Sequence, residues 1–453
     1  MAGGATGRGA GTALQMTLQM KSTVRRSGPR VLVLRGGEVV DADGRRRADV
    51  VVEDGVVTAV GAGVAVPSGA TVLDAGGCVV APGLVDLHAH LRQPGREEAE
   101  TVETGAWAAA LGGYSAVVAM PNTEPAIDSA AVATEVLALG RTAPVEVAVA
   151  GAITVGRAGE RLAPMAELAA LGVRIFTDDG AGVQDGALMR RAMDYARGLG
   201  VILAQHCEDA RLAGGGSMHE GPWSSRLGLP GVPAAAEEAM VARDLLLARD
   251  SRCRLHLLHL STAGSVALVR QAKLAGVAVT AEATPHHLAL TDAECATFDP
   301  VFKVNPPLRS EADVAALRSA LGDGTVDAVA TDHAPHAPEA KDVPFDEAPP
   351  GMLGLETALA VAMGAVGLER ALAVMSWQPA AIAGLADRHG GPVAAGAAAN
   401  LCVVDPQARW TVDPATLASR SRNTPFAGRT LTGRLRHTIS RGVAVVIDGE
   451  AQR

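Results

Sequence analysis

Two histidines, His88 and His90, close the run Leu84-Val85-Asp86-Leu87-His88-Ala89-His90. On an extended strand, side chains two residues apart share a face, so both imidazoles can approach one cation from one side. Alone, an H-x-H pair is equally well explained by two hydrogen-bonded polar residues. Four further groups change that balance: Asp179, His206, His259 and Asp332 also stand at or just beyond the ends of short apolar runs. Imidazole and carboxylate without cysteine suit Zn2+ and tolerate Mn2+ or Co2+. Six ligands exceed the needs of one tetrahedral ion, whereas two ions about 3.5–4 Å apart would use them if one group bridges. A carboxylate has two oxygens for that task. Asp179 is the first choice, with its neighbour Asp178 the competitor. A centre of this kind makes hydroxide available near neutral pH. Cys207, next to His206, falls on the opposite face by strand alternation and reads as packing.

Such residues need a scaffold that gathers strand ends. Between 81 and 394 short apolar strands alternate with Ala/Leu-rich helical stretches. Strands are expected at 84–88, 116–120, 145–150, 173–177, 201–205, 254–259, 278–282 and 327–331, and helices at 101–111, 129–139, 187–198, 235–248, 265–275 and 311–321. Strict alternation implies parallel strands with crossover helices, and eight units fit an α/β fold of the (β/α)8 TIM-barrel type better than an open sheet. In that fold chemistry sits at the C-terminal strand ends, where these histidines and aspartates fall. The segments 30–80 and 395–453 show short β runs with Gly-rich turns, read as a small antiparallel β domain, sandwich-like, built from both chain ends. Residues 1–29 read as a flexible basic tail, since the first acidic residue is Glu38.

Composition sets outer bounds. Hydrophobic residues make up 48% and aromatics only 2%, so the core is aliphatic and the chain is not disordered overall. The net charge of -9 argues against nucleic-acid binding. No uncharged apolar run is long enough for a membrane span. The 5 cysteines are dispersed, with no C-x-x-C pair, as in a reduced, cytoplasmic protein.

The segment from Ala81 to His90, with Ala81-Pro82-Gly83 leading into it, resembles the amidohydrolase superfamily signature. Its continuation Leu91-Arg92-Gln93-Pro94-Gly95 resembles bacterial dihydroorotases of the class I type. So do Met120-Pro121-Asn122-Thr123, Thr177-Asp178-Asp179-Gly180, 204–208, Met218-His219-Glu220-Gly221, 302–308, 331–338 and 421–426. The resemblance spans residues 31 to 450. It implies two Zn2+ per chain, the second site open to partial occupancy. His88, His90 and Asp332 would hold the first ion, Asp179 would bridge, and His206 and His259 would hold the second. Asp332 would double as the catalytic proton shuttle. His90, Arg92, Asn122, Asn305 and His336 would contact substrate, with the main chain at Pro350 and Gly351 closing over its ring. The implied reaction is the reversible cyclisation of N-carbamoyl-L-aspartate to dihydroorotate by a zinc-bridged hydroxide, a step of pyrimidine synthesis. Implied partners are the small-molecule substrate, a second copy in a homodimer, and aspartate transcarbamoylase.

Two alternatives accompany this resemblance. Hydantoinases and allantoinases are cyclic amidases that usually bridge their metals with a carboxylated lysine, and here Asp178-Asp179 stands at that strand end. An inactive scaffold subunit for aspartate transcarbamoylase would lack metal ligands, and none is missing. Among the remaining residues, Arg92 suits a substrate carboxylate through its planar bidentate grip, or else a structural salt bridge. Asn122 and Asn305 could instead be turn residues. His256 is expected to face away from His259 and to pack. His286 and His287 stand between substrate contact and support, and His333 is placed to orient its neighbour. His219, His389 and His437 read as surface or structural, Glu208 and Asp209 as caps, and 337–350 as a solvated loop and candidate lid.

Overall fold

The computed structural model describes residues 31–453, so the expected tail at 1–29 lies outside the described residues. Its centre is a set of eight short parallel strands: Leu84–Ala89, Tyr114–Ala119, Glu146–Val149, Ile175–Phe176, Ile202–Gln205, Arg254–Leu257, Val279–Ala283 and Ala328–Val329. They are referred to below as core strands one to eight. Most of their residues are buried on both faces, which explains why the runs read as continuously apolar instead of alternating. Strands one to three form one sheet and strands four to eight another. Single parallel bridges, Gly151 with Phe176 and Ala89 with His333, join the two sheets at both seams.

Helices follow the strands as the alternation requires. Val102–Leu111, Ala130–Gly140, Gly186–Leu199, Ala234–Ser251, Ala263–Leu274 and Glu311–Asp323 each overlap an expected helix. Side chains set several of their starts. Thr101 accepts from the Thr104 amide, Asp185 from Ala187 and Leu188, Thr262 from Ser265, and Ser310 from Asp313. Each cap satisfies amides that a helix cannot satisfy internally. The α/β class agrees with the sequence.

The chain ends form two sheets, and neither is purely antiparallel as expected. A four-stranded sheet contains Val31–Arg35, Asp49–Glu53, Val56–Gly61 and Thr71–Asp74. A seven-stranded sheet joins Glu38–Asp41, Gly44–Arg47 and Val79–Pro82 to the C-terminal strands Leu401–Thr411, Thr430–Ser440, Val443–Ile447 and Glu450–Ala451. Both are mixed. Thr71–Asp74 runs parallel to Val31–Arg35, and Val79–Pro82 parallel to Glu38–Asp41, because the intervening chain crosses over before it returns. Leu32, Leu34, Val50, Val80, Val403 and Ile439 share one buried apolar cluster, so residues from both chain ends make a common core.

Val79–Pro82 continues through Gly83 directly into core strand one. A Cβ on Gly83 would lie 2.5 Å from the Ser115 Cβ, so only glycine allows strands one and two to pack at this junction. Further along strand one, the fully buried Asp86 reaches across to strand eight. It accepts the Thr331 amide at 2.8 Å and the Thr331 hydroxyl at 2.6 Å. Burial pushes its carboxyl up to about 7, against the pull of the Thr331 bonds. This clamp lies one turn of chain below His88 and Asp332. Asp86→Ala leaves the Thr331 amide buried and unmatched and should lower stability in urea denaturation by about 2–3 kcal/mol, whereas Asp86→Asn should cost less than half of that. Equal stability of all three proteins would remove Asp86 from the seam.

Candidate active site

Each chemically active side chain leaves a C-terminal strand end. His88 and His90 end strand one, Asp179 follows strand four, His206 strand five, His259 strand six and Asp332 strand eight. Their side chains are all buried. Asp179 lies at the centre. Its Oδ1 is 3.4 Å from His88 Nε2, 3.5 Å from His259 Nε2 and 3.7 Å from His206 Nδ1, and its Oδ2 is 3.6 Å from His90 Nε2. Asp332 Oδ1 is 3.0 Å from His90 Nε2 and 3.6 Å from His88 Nε2. The backbone bends sharply to bring these groups in, with positive φ at His259 (29°) and Asp332 (45°).

The proton inventory of this cluster is revealing. His88 Nδ1 lies 2.9 Å from Glu282 Oε1 and donates to it, so Nε2 is the atom turned to Asp179 and Asp332. Burial lowers His88, but Asp179, Glu282 and Asp332 outweigh it and raise the ring well above its usual range. His90 Nδ1 likewise donates to Asn122 Oδ1 at 2.8 Å. Both Nε2 atoms therefore face carboxylate oxygens, and each contact needs a proton or a cation between nitrogen and oxygen. Among the described residues, His88 Nε2, Asp179 Oδ1 and His259 Nδ1 have no hydrogen-bond partner although buried. Two groups have ligand atoms within 4.8 Å of one another: His88 with His90 and Asp332, and His88 with Asp179 and His259. A borderline divalent cation fits this donor set, since it satisfies several lone pairs at once and needs no proton. His206 lies outside both groups but touches the second, its Nδ1 3.0 Å from His259 Nε2.

Asp178 does not share this environment. Its Oδ1 accepts the amides of Ile153 and Thr154, and its Oδ2 takes the Thr154 hydroxyl. It holds the loop, while Asp179 faces the histidines. Burial pushes the Asp179 carboxyl up, but the charge of His88 and the contacts of His206 and His259 outweigh burial and hold it well below the usual range. Asp332 behaves alike: the bond to His90 and the charge of His88 overcome burial and keep it anionic.

Above the cluster opens a cavity of about 330 Å3. Every expected site residue lines it except His88, which lies buried beneath its floor. Among the described residues Arg92 makes no ion pair. Its Nε donates to the Pro335 carbonyl at 3.0 Å and its Nη2 lies 3.5 Å from His336 Nε2, which leaves Nη1 without a hydrogen bond. Burial and the nearby Arg96 lower it to about 10, so it stays charged at neutral pH. The salt-bridge alternative for Arg92 is thereby corrected. His336 Nε2 donates to the Pro350 carbonyl at 2.9 Å, tying that segment to the cavity wall. Burial and Arg92 lower His336 to about 3. Gly351 has φ 137°, and a Cβ there would lie 2.8 Å from His336 Nε2. Asn122 lines the cavity, yet its amide is already engaged: Oδ1 with His90, and Nδ2 donating to Asp179 Oδ2 at 3.2 Å. Asn305 Nδ2 lies 3.5 Å from His206 Nε2.

Several residues differ from expectation. His256 is buried but not bland, for its Nε2 lies 2.9 Å from Glu282 Oε2. Strand six ends at Leu257, and the turn at His259 breaks the alternation on which the opposite-face argument depended. Glu282 itself was missed; a lone glutamate inside an apolar strand was the available signal. Arg157 was missed too, and its Nη2 donates to the Asp179 carbonyl at 2.7 Å. His286 and His287 begin a short helix, Pro285–Ala289, away from the cavity. There His287 Nε2 donates to the Pro306 carbonyl at 3.0 Å, a supporting contact. Of the two readings for His389 and His437, surface or structural, burial selects the structural one, and His219 is half-buried. Asp209, not Glu208, caps the next helix. The 337–350 loop is tied down, not merely solvated: Lys341 Nζ donates to the Pro349 carbonyl at 2.7 Å.

The fold has counterparts among known proteins. The structure of L-hydantoinase (dihydropyrimidinase) from Arthrobacter aurescens superposes with a TM-score of 0.84 at 27% identity, covering 93% of this chain and 97% of that one. Residues 77–265 match the family model described as dihydro-orotase-like. The chain is 52% identical over 413 residues to the dihydroorotase of Mycobacterium tuberculosis, covering 89% of this chain and 96% of that protein. It is 51% identical over 427 residues to the dihydroorotase of Streptomyces coelicolor, covering 92% and 99%. Fold and site thus define a cyclic-amide hydrolase of the amidohydrolase class. Within that class, the chain belongs to the dihydroorotase family.

The crowding of lone pairs around Asp179 predicts a metal-dependent stability. Zn2+ added to metal-free protein at about 100 times its Kd should stabilise the fold by about 2.7 kcal/mol per ion, read as a rise in Tm. Asp179→Ala should lose most of that rise. An unchanged rise would place the metal elsewhere.

Proposed function

We propose that this chain interconverts dihydroorotate and N-carbamoyl-L-aspartate, in the direction of ring closure for pyrimidine synthesis. The observation that carries the proposal is one half-buried guanidinium without an ion pair, Arg92, in the same cavity as the carboxylates Asp179 and Asp332 and their histidines. A cyclic amide that bears a carboxylate matches both ends of this cavity. The identity to dihydroorotases of about half of all residues supports the same substrate.

The eight parallel strands, bridged at both seams, are read as a closed (β/α)8 TIM barrel over 81–394. The two mixed sheets of 30–80 and 395–453 are read as a β-sandwich domain. We take two Zn2+ per chain as the metal content: His88, His90 and Asp332 would hold one, His206 and His259 the other, with Asp179 between them. When bound, such ions supply Lewis acidity towards the substrate carbonyl and its developing charge.

The chain's own residues account for the rest. Arg92 offers its outer nitrogens to the substrate carboxylate and fixes the ring. Pro350 and Gly351, held by His336, form the wall on the ring's other side. Asn122 holds His90 and Asp179 at a constant separation instead of spending its amide on substrate. In hydrolysis a water oxygen adds to the ring carbonyl, and Asp332 accepts the water proton. The carbon–nitrogen bond then breaks as Asp332 returns that proton to the leaving ring nitrogen. Ring closure is the reverse: the ureido nitrogen loses its proton to Asp332, adds to the carboxyl carbon, and water leaves. Dimer formation, association with aspartate transcarbamoylase and a cytoplasmic location complete the proposal. For the last, the support is that all 5 cysteines are free and buried, and that no described helix is long and apolar enough to cross a membrane.

The hydantoinase alternative is weakened by the lack of any lysine among the residues lining the cavity. Zinc-loaded protein should turn over dihydroorotate faster than hydantoin or allantoin in a spectrophotometric comparison; faster hydrolysis of hydantoin would overturn the assignment. Arg92→Lys removes the planar grip but keeps the charge. It should lower kcat/KM by about 10- to 100-fold, and an unchanged value would return Arg92 to a structural role.

A further inference from the structure

Below the cavity floor, a second layer of hydrogen bonds controls how His88 faces the site. Glu282, on core strand seven, is fully buried. Its Oε1 lies 2.9 Å from His88 Nδ1 and its Oε2 2.9 Å from His256 Nε2. The His259 amide also approaches Oε1, at 3.4 Å. Behind His256, its Nδ1 lies 2.8 Å from the Thr280 hydroxyl. The sheet builds this arrangement, because parallel pairing of strands six and seven sets His256 beside Thr280, and Glu282 follows two residues later.

A carboxylate only accepts, so both imidazoles must donate to it. That requirement fixes His88 as the Nδ1–H tautomer and turns the Nε2 lone pair to Asp179 and Asp332. In the other tautomer an N–H would occupy the space a cation needs. His256 is fixed in turn as the Nε2–H tautomer, with Nδ1 free to accept from Thr280. We propose that Glu282 is a positioning residue of the metal centre, which sets the tautomer and ring orientation of His88, and that His256 and Thr280 hold the Glu282 carboxylate in place. This inference rests on the reading of His88 as a metal ligand. Its competitor is that Glu282 merely satisfies two buried histidines of the core.

The two are separable because a glutamine cannot reproduce the carboxylate. It offers one carbonyl and one NH2 group to two imidazoles. One ring must therefore turn a lone pair towards the amide, and part of the His88 population adopts the wrong tautomer. Three metal-free proteins are compared: the parent, Glu282→Gln and His256→Leu. Imidazole 15N chemical shifts, read at a pH high enough for His88 to be neutral, report its tautomer, and competition with a chromophoric chelator reports Zn2+ affinity. The parent should show His88 as Nδ1–H. Glu282→Gln should show mixed tautomers and bind Zn2+ about 10- to 100-fold more weakly. His256→Leu, which leaves Glu282 itself intact, should weaken binding to a smaller extent and carries the test if Glu282→Gln does not fold. Parent-like tautomer and affinity in the variants that fold would overturn the positioning role while leaving the metal centre standing. A parent that binds no Zn2+ would overturn both.

Discussion

Imidazole nitrogens held against carboxylate oxygens, with a proton or a cation needed between them, are the constraint on which this site depends. His88 and His90 each donate their Nδ1–H, to Glu282 and Asn122, and their Nε2 atoms face Asp179 and Asp332. Left to itself such a buried cluster would open. It stays assembled because each member is held from outside: Asp86 clamps strand one to strand eight, Asn122 ties His90 to Asp179, and Arg157 pins the Asp179 carbonyl. A scaffold that holds these nitrogens and oxygens together is primed for a cation in place of the proton.

The same constraint explains which parts of the structure could be read from the sequence. The alternation of apolar strands with Ala/Leu-rich helices survives in one dimension, because a strand buried on both faces must be apolar along its whole length. Hence the core strands and helices, and the histidines and aspartates at their ends, were legible. Supporting contacts were not. Glu282 is two positions from Thr280 in sequence, but its meaning comes from His88, 194 residues away. His256 reads as packed and is buried, but its bond to Glu282 comes from strand seven and leaves no local signal. The terminal strands read as antiparallel because parallel pairing of Val79–Pro82 with Glu38–Asp41 leaves no local turn signal.

Charge within the cavity is distributed with equal economy. The chain carries a net -9, and two of the carboxylates counted in it, Asp179 and Asp332, face the cavity. An anionic ligand would be repelled by the carboxylates without a local cation. Arg92 supplies it from the opposite wall, and its positive φ of 60° turns the side chain back towards the Pro335 carbonyl. Because Pro335 orients Nε and His336 lies 3.5 Å from Nη2, the guanidinium is aligned before a ligand arrives. Little side-chain freedom then remains to be lost on binding.

The C-terminal segment reaches into the site through one residue, Asn423. Its Nδ2 donates to the carbonyls of Ala334 and Gly351, at 3.0 and 3.2 Å, and its Oδ1 accepts the His336 amide at 3.2 Å. Asn423 thus joins the loop that carries Asp332 to the segment that walls the cavity. Just before it, Ser419 and the Arg420 amide bind Glu100, which also contacts His333, the residue after Asp332. His333 in turn accepts the His90 amide at its carbonyl, 2.9 Å away. A chain end that could have served only the small sheets therefore fixes the distance between Asp332, His90 and the cavity wall. Its resemblance to the family over 421–426 follows from geometry: displacement of this strap moves three parts of the site together.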